Sequence, residues 1–191
     1  MPMSQAEAAS ALRDVERTTL RSAELRAYGH ASPHLLLWGL IWIAGYAAMG
    51  VLPDGNAAMI WLPLDLLGFV GSALIGSRAR ARASAGAAEA GRAKMATMLA
   101  MGLFVGLFIV CVYVVFKPAS REPYLVFPAM VLGLVYVVAG VWKMPRLAWI
   151  GGVVFVLSMA GFFLMKPYLA FWIAAVGGGG LVLGGLWLRK A

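Results

Sequence analysis

The sequence predicts an all-α integral membrane protein of six transmembrane helices, arranged as three helix–proline–helix hairpins and preceded by a cytoplasmic N-terminal helix. Three observations predict it. Hydrophobic residues make up 62% of the 191 positions before any of the 23 glycines is counted, whereas a soluble domain holds about 45–50% apolar residues with glycine included. The apolar residues fall in six continuous runs of 18 to 22 residues, and at about 1.5 Å rise per residue each run can cross a hydrocarbon core of about 30 Å. Threading those runs through a bilayer leaves 13 of the 16 Lys and Arg residues on one side, the bias that marks the cytoplasmic face.

Residues 1–33 come first and are polar. Ser4 followed by Glu7 makes a capping-box pattern, Ala, Leu, Arg and Glu dominate as far as Tyr28, and Gly29 and Pro33 supply stop signals. The reading is a cytoplasmic helix. Leu12, Val15, Leu20 and Leu25 form a ragged apolar stripe among four acids and four arginines. A solvated helix capping the bundle is the plainer account of it; contact with a protein partner through residues 4–28, or with lipid, is the other. This leader is too long and too polar for the charged region of a secretory signal, so the first apolar run is expected to stay in the mature protein.

The spans then follow within residues 34–191, at about 35–52, 57–77, 95–116, 124–142, 147–165 and 168–188. Each run is continuous rather than alternating, which selects helices over barrel strands, because a helix satisfies its own backbone groups in lipid. One face collects Arg13, Arg17, Arg21, Arg26, Arg78, Arg80, Arg82, Arg92, Lys94, Lys143, Arg146, Arg189 and Lys190; the other holds only Lys117, Arg121 and Lys166. Both termini are therefore expected in the cytoplasm. Arg78, Arg80 and Arg82 extend the second helix toward a turn expected at Gly86 or Gly91. Topology explains this cluster, which would also suit anionic lipid headgroups at about 1 kcal/mol per basic residue. Trp38, Trp61, Tyr124, Trp142, Trp149, Tyr168 and Trp187 fall near span ends as an aromatic belt.

A repeat runs through the second half. Lys117-Pro118 ends the third span and Lys166-Pro167 ends the fifth; Pro123-Tyr124-Leu125-Val126-Phe127 recurs as Pro167-Tyr168-Leu169-Ala170-Phe171; Gly133, Gly140 and Trp142 recur as Gly178, Gly185 and Trp187. The repeat is parallel, so the inverted symmetry of many alternating-access transporters is missing. This plan resembles the HdeD-like acid-resistance membrane proteins, and the resemblance covers residues 95–188 better than 34–77. It implies a bacterial inner membrane and a stress-response role, with no chemistry attached.

Small residues recur at four-residue spacing, as in Gly68, Ser72 and Gly76, in Gly102 and Gly106, in Ala129 and Gly133, in Ala148 and Gly152, and in Gly180 and Gly184. In lipid, helices associate where backbones can approach, so these strips are expected to be packing seams, and an oligomer is open to the same chemistry. The run Gly177 to Gly180 lacks the Lys-Ser/Thr of a phosphate-binding loop and marks a flexible or tightly packed point.

Few residues carry chemistry. Asp65 stands eight residues into the second span, where a charge costs roughly 2.5–3.5 kcal/mol on insertion scales, and Pro63 just before it frees a backbone carbonyl. Tyr46, Tyr136 and Ser158 lie at comparable depth as candidate partners. One structural hydrogen bond is the plainer reading of this group; proton or ligand handling is the alternative. His30 and His34 are spaced i, i+4, a weak metal-site pattern with no third ligand beside it. Cys111 is the one cysteine, which excludes an internal disulfide and a Cys-based zinc site. No HExxH motif, nucleophile triad or pair of intramembrane carboxylates is present. Nor do the basic residues, which flank apolar runs, form a nucleic-acid patch. No cofactor is expected. The expectation is a non-catalytic inner-membrane protein with a scaffold, partner-binding or stress-response role, the alternative being a small channel or transporter that uses Asp65 as its coupling group.

Overall fold

The computed structural model describes residues 5–52, 56–81 and 85–190. Six of its helices are long and apolar enough to cross a membrane. They are α1 (Gln5–Val51), α2 (Ala57–Ala81), α3 (Ala85–Phe116), α4 (Glu122–Lys143), α5 (Pro145–Leu164) and a sixth span. That last span (Lys166–Arg189) is composite: a 3-10 turn (Lys166–Tyr168), α6 (Leu169–Ile173), a π-helical segment (Ala174–Gly179) and α7 (Gly180–Arg189).

The first difference from expectation lies in α1. Gly29 and Pro33 do not end the leader; 47 residues run as one helix with Pro33 inside it, a rod of about 70 Å. A proline removes one backbone donor and crowds one carbonyl, and in a bundle neighbouring groups can absorb that loss. Here Ser32, buried beside Pro33, donates its hydroxyl to the carbonyl of Gly185 at 2.8 Å, tying the helix to α7 at this point. The second difference concerns Gly86 and Gly91, which lie inside α3 rather than at a turn. The Asp54-Gly55 turn and Arg82 fall outside the described residues.

Packing follows close backbone approach. A Cβ added at Gly178 would lie 2.7 Å from the backbone nitrogen of Ile43 and 2.8 Å from the carbonyl oxygen of Gly39; one added at Gly39 would lie 2.8 Å from the carbonyl oxygen of Gly178. Thus α1 and the sixth span touch backbone to backbone. The same holds between α4 and α5, where Gly133 and Gly151 face each other and Gly140 backs onto Ala148. Because lipid competes equally for Leu and Val, such seams, rather than apolar burial, hold helices together in a bilayer.

Other small residues form notches for aromatic rings. Trp38 fills the space over Gly68, Trp61 that over Gly45, Phe171 that over Gly50 and Trp172 that over Gly161. Among the described residues, the expected Gly102/Gly106 seam meets nothing within 4 Å, and of the Ala148/Gly152 pair Ala148 packs on Gly140 while Gly152 meets nothing within 4 Å. Spacing identified small residues correctly but not the direction they face, and α5 turns Gly151 rather than Gly152 toward α4. No residue of the most apolar window of α3 is buried. At the end opposite the termini it is held by Tyr113, which donates a hydrogen bond to the Tyr124 carbonyl at 3.0 Å and packs at a tilt against the Tyr124 ring, with centroids 4.6 Å apart.

Two apolar clusters result. One gathers Tyr46, Met49, Leu125, Val126, Ala129, Leu169, Ala170, Ile173 and Ala174; the other gathers Tyr28, Leu35, Leu147, Ile150, Leu181 and Leu188, nearer the termini.

Candidate functional site

Among the described side chains, Tyr28 is the first that α1 buries. Its hydroxyl donates to the Glu24 carboxylate at 2.5 Å, one helical turn back, and accepts from the backbone N–H of Arg146 at 3.4 Å. Arg146 opens α5, and its guanidinium lies 5.6 Å from the Tyr28 ring centre and 5.2 Å from that of Trp187 while donating to the Trp187 carbonyl at 3.3 Å. Such cation–ring contacts contribute roughly 0.5–1 kcal/mol each at exposed sites and more where water is excluded. A clasp of three remote segments therefore fixes the base of the leader helix to the α4–α5 turn and to the end of α7. The sequence reading missed it. Its one local signal was the Glu24/Tyr28 pair at i, i+4 spacing.

Beyond the clasp, α1 continues toward Gln5 for about 35 Å. Leu12, Val15 and Leu20 are 70%, 64% and 65% exposed, and Thr18 and Thr19 turn their hydroxyls back onto the helix, donating to the carbonyls of Asp14 and Val15. Those apolar side chains precede the continuous apolar run that starts at Leu35.

The four residues singled out by depth do not form one site. Asp65 is half-buried on α2 and lies within electrostatic range of Tyr46, yet no hydrogen bond joins them among the described residues. Tyr46 is 2% exposed and packs edge-to-face between Trp42 and Trp61, at 5.5 and 5.0 Å. Tyr136 packs against the other cluster, beside Gly151. Ser158 is fully buried on α5, and its hydroxyl has no hydrogen-bond partner among the described residues. It sits one step along a regular seam, since Ile150 packs on Gly184 and Val154 on Gly180, so the next turn of α5 brings Ser158 level with the π segment. Burying an unsatisfied hydroxyl costs about 1–3 kcal/mol. Ser158→Ala is expected to leave the thermal midpoint in detergent unchanged or to raise it; a clear fall would show that the hydroxyl has a partner.

His30 and His34 share one continuous helix, His30 exposed and His34 half-buried, and among the described residues no group of three potential metal ligands exists. Arg78 is exposed, while the stem of Arg80 lies 3.4 Å from the position of a Cβ on Gly91 and so packs against α3. Comparison with known protein families, with curated proteins and with solved structures finds no match.

Proposed function

We propose that this chain is a non-catalytic scaffold of a bacterial inner membrane. In this reading it crosses the bilayer six times as three outward–inward hairpins, with both termini in the cytoplasm, and its working part is the leader arm: a stiff cytoplasmic rod whose residues 4–28 dock a protein partner. The observation that carries this is the continuity of α1 from Gln5 to Val51, joined to the clasp at Tyr28. A partner held on the arm would be oriented relative to the membrane rather than tethered by a flexible linker. The 13-to-3 split of basic residues supports the orientation. The hairpin spacing shared with HdeD-like proteins supports a stress-response setting. Bilayer contact, with anionic headgroups near Arg78 and Arg80, belongs to the same picture.

Photo-crosslinking in intact cells tests the arm. A photoreactive residue placed at Leu12, Val15 or Leu20 should give one discrete protein adduct shared by all three positions, while the same probe at lipid-facing Leu40 gives none. Only lipid adducts, or none at any position, would remove the partner reading.

A second reading has one observation in its favour. Asp65 is a half-buried acid in a span with no hydrogen bond among the described residues, a position that suits a proton or ligand coupling group in a small channel or transporter. If so, the protein in vesicles carries a pH-dependent flux that Asp65→Asn abolishes; a flux identical in both proteins, or none in either, rejects it.

A further inference from the structure

Two of the three basic residues that the sequence leaves on the face opposite the termini meet in one cleft. Arg121, at the start of α4, and Lys166, at the turn into the sixth span, line a cavity of about 220 Å³ together with Glu122, Leu125, Leu169 and Phe171. Arg121 is oriented from below: one of its Nη atoms donates to the carbonyl of Met49 near the end of α1, which leaves other N–H groups of its fork to point elsewhere. Gly50 forms part of the wall because a side chain there would strike the Phe171 ring. The floor is apolar, since Leu125, Leu169 and Ala170 are buried. Cations are disfavoured on this face by the same charge rule that orients the spans. Their convergence, from turns 45 residues apart in sequence, therefore asks for a reason.

We propose that this cleft binds a phosphodiester group at the membrane surface, with Arg121 and Lys166 on the phosphate oxygens and Glu122 accepting a hydrogen bond from a donor on the headgroup. The charges fit: two cations and one carboxylate leave a net charge of +1, matching the single negative charge of a phosphodiester. Arginine presents a planar fork suited to phosphate oxygens and lysine a point charge. The carboxylate selects among phosphodiesters. A glycerol or ethanolamine headgroup carries hydroxyl or ammonium donors for Glu122, whereas choline carries none. The apolar floor and the position at a span end suit an acyl-bearing ligand, so a lipid headgroup is one source and a soluble phosphodiester is the other.

The test uses the full chain in mild detergent, titrated with phosphatidylglycerol or phosphatidylcholine and read by native mass spectrometry for bound lipid. Phosphatidylglycerol should be retained over phosphatidylcholine, and Lys166→Gln should weaken that retention about tenfold, the loss expected for one charge-assisted contact. Lys166 is exposed, so this variant keeps the fold. Glu122→Gln should narrow the preference for glycerol over choline without lowering phosphatidylcholine binding. Glycerophosphoglycerol, the headgroup without acyl chains, separates the sources: displacement of the lipid at millimolar concentration places recognition in the headgroup and admits a soluble ligand, and failure to displace assigns the site to lipid. Equal retention of the two lipids, or retention unchanged by Lys166→Gln, would overturn the proposal.

Discussion

Gly178→Val is expected to abolish recovery of folded protein from the membrane, whereas Gly179→Val, one residue on, leaves it intact. The two positions share a π-helical segment and a composition, so helix propensity cancels between them. They differ in what the new side chain meets. At Gly178 a Cβ falls 2.6 Å from a side-chain carbon of Ile43, 2.7 Å from the Ile43 nitrogen and 2.8 Å from the Gly39 oxygen; at Gly179 nothing lies within 4 Å. A flexible side chain can move aside, but the backbone of α1 cannot without opening the seam along its length. Overpacking costs about 1–3 kcal/mol in soluble cores, and against a backbone with no hydrophobic drive to restore contact the upper end or beyond is expected. Monodispersity and thermal midpoint in mild detergent read the difference. Equal behaviour of the two variants would show that α1 and the sixth span do not meet here.

Tyr28→Ala is the second large effect. Tyr28 is 1% exposed and is the hub of the clasp. Truncating a buried aromatic side chain costs about 3–5 kcal/mol through lost burial and the cavity left behind. Because Tyr28 stands where the arm meets the bundle, the loss should be local: amide hydrogen exchange should speed up from Glu24 to Ser32 while α4 and α5 keep their protection. Tyr28→Phe keeps the ring under Arg146 and loses only the hydroxyl's bonds to Glu24 and to the Arg146 amide, so it should cost about 1 kcal/mol. A uniform rise in exchange across all spans in Tyr28→Ala would mean that the residue supports the whole bundle rather than the arm.

The spans were legible because span detection is a one-dimensional problem. An apolar run bounded by Pro or a basic residue has few ways to end, and the structure starts α2 at Ala57 and ends α3 at Phe116 as the sequence does. Two other matters need a second helix to decide them. Pro33 reads as a stop in isolation, but α1 runs through it, and beside it Ser32 is bonded to Gly185 of α7. Glycine spacing reports where a close approach is allowed but not which neighbour is there, which is why Gly151 packs and Gly102 does not. The site was less legible still. Asp65, Tyr46, Tyr136 and Ser158 were grouped by depth, and depth leaves the angle around each helix unspecified; Tyr46 and Tyr136 belong to separate clusters as a result. Both the clasp and the Arg121–Lys166 cleft join segments that only the tertiary fold brings together.

One continuous helix runs from the arm into the first span. Spin labels at Thr18 and Leu40, both exposed, in a Cys111→Ser background, test it by pulsed dipolar distance measurement in nanodiscs. The labels are 22 residues apart, close to a whole number of helical turns, so both project from the same side of the rod. An unbroken α1 predicts a single narrow distribution centred near 33 Å; a broad distribution, or one shortened by a bend at Gly29 to Pro33, would contradict it.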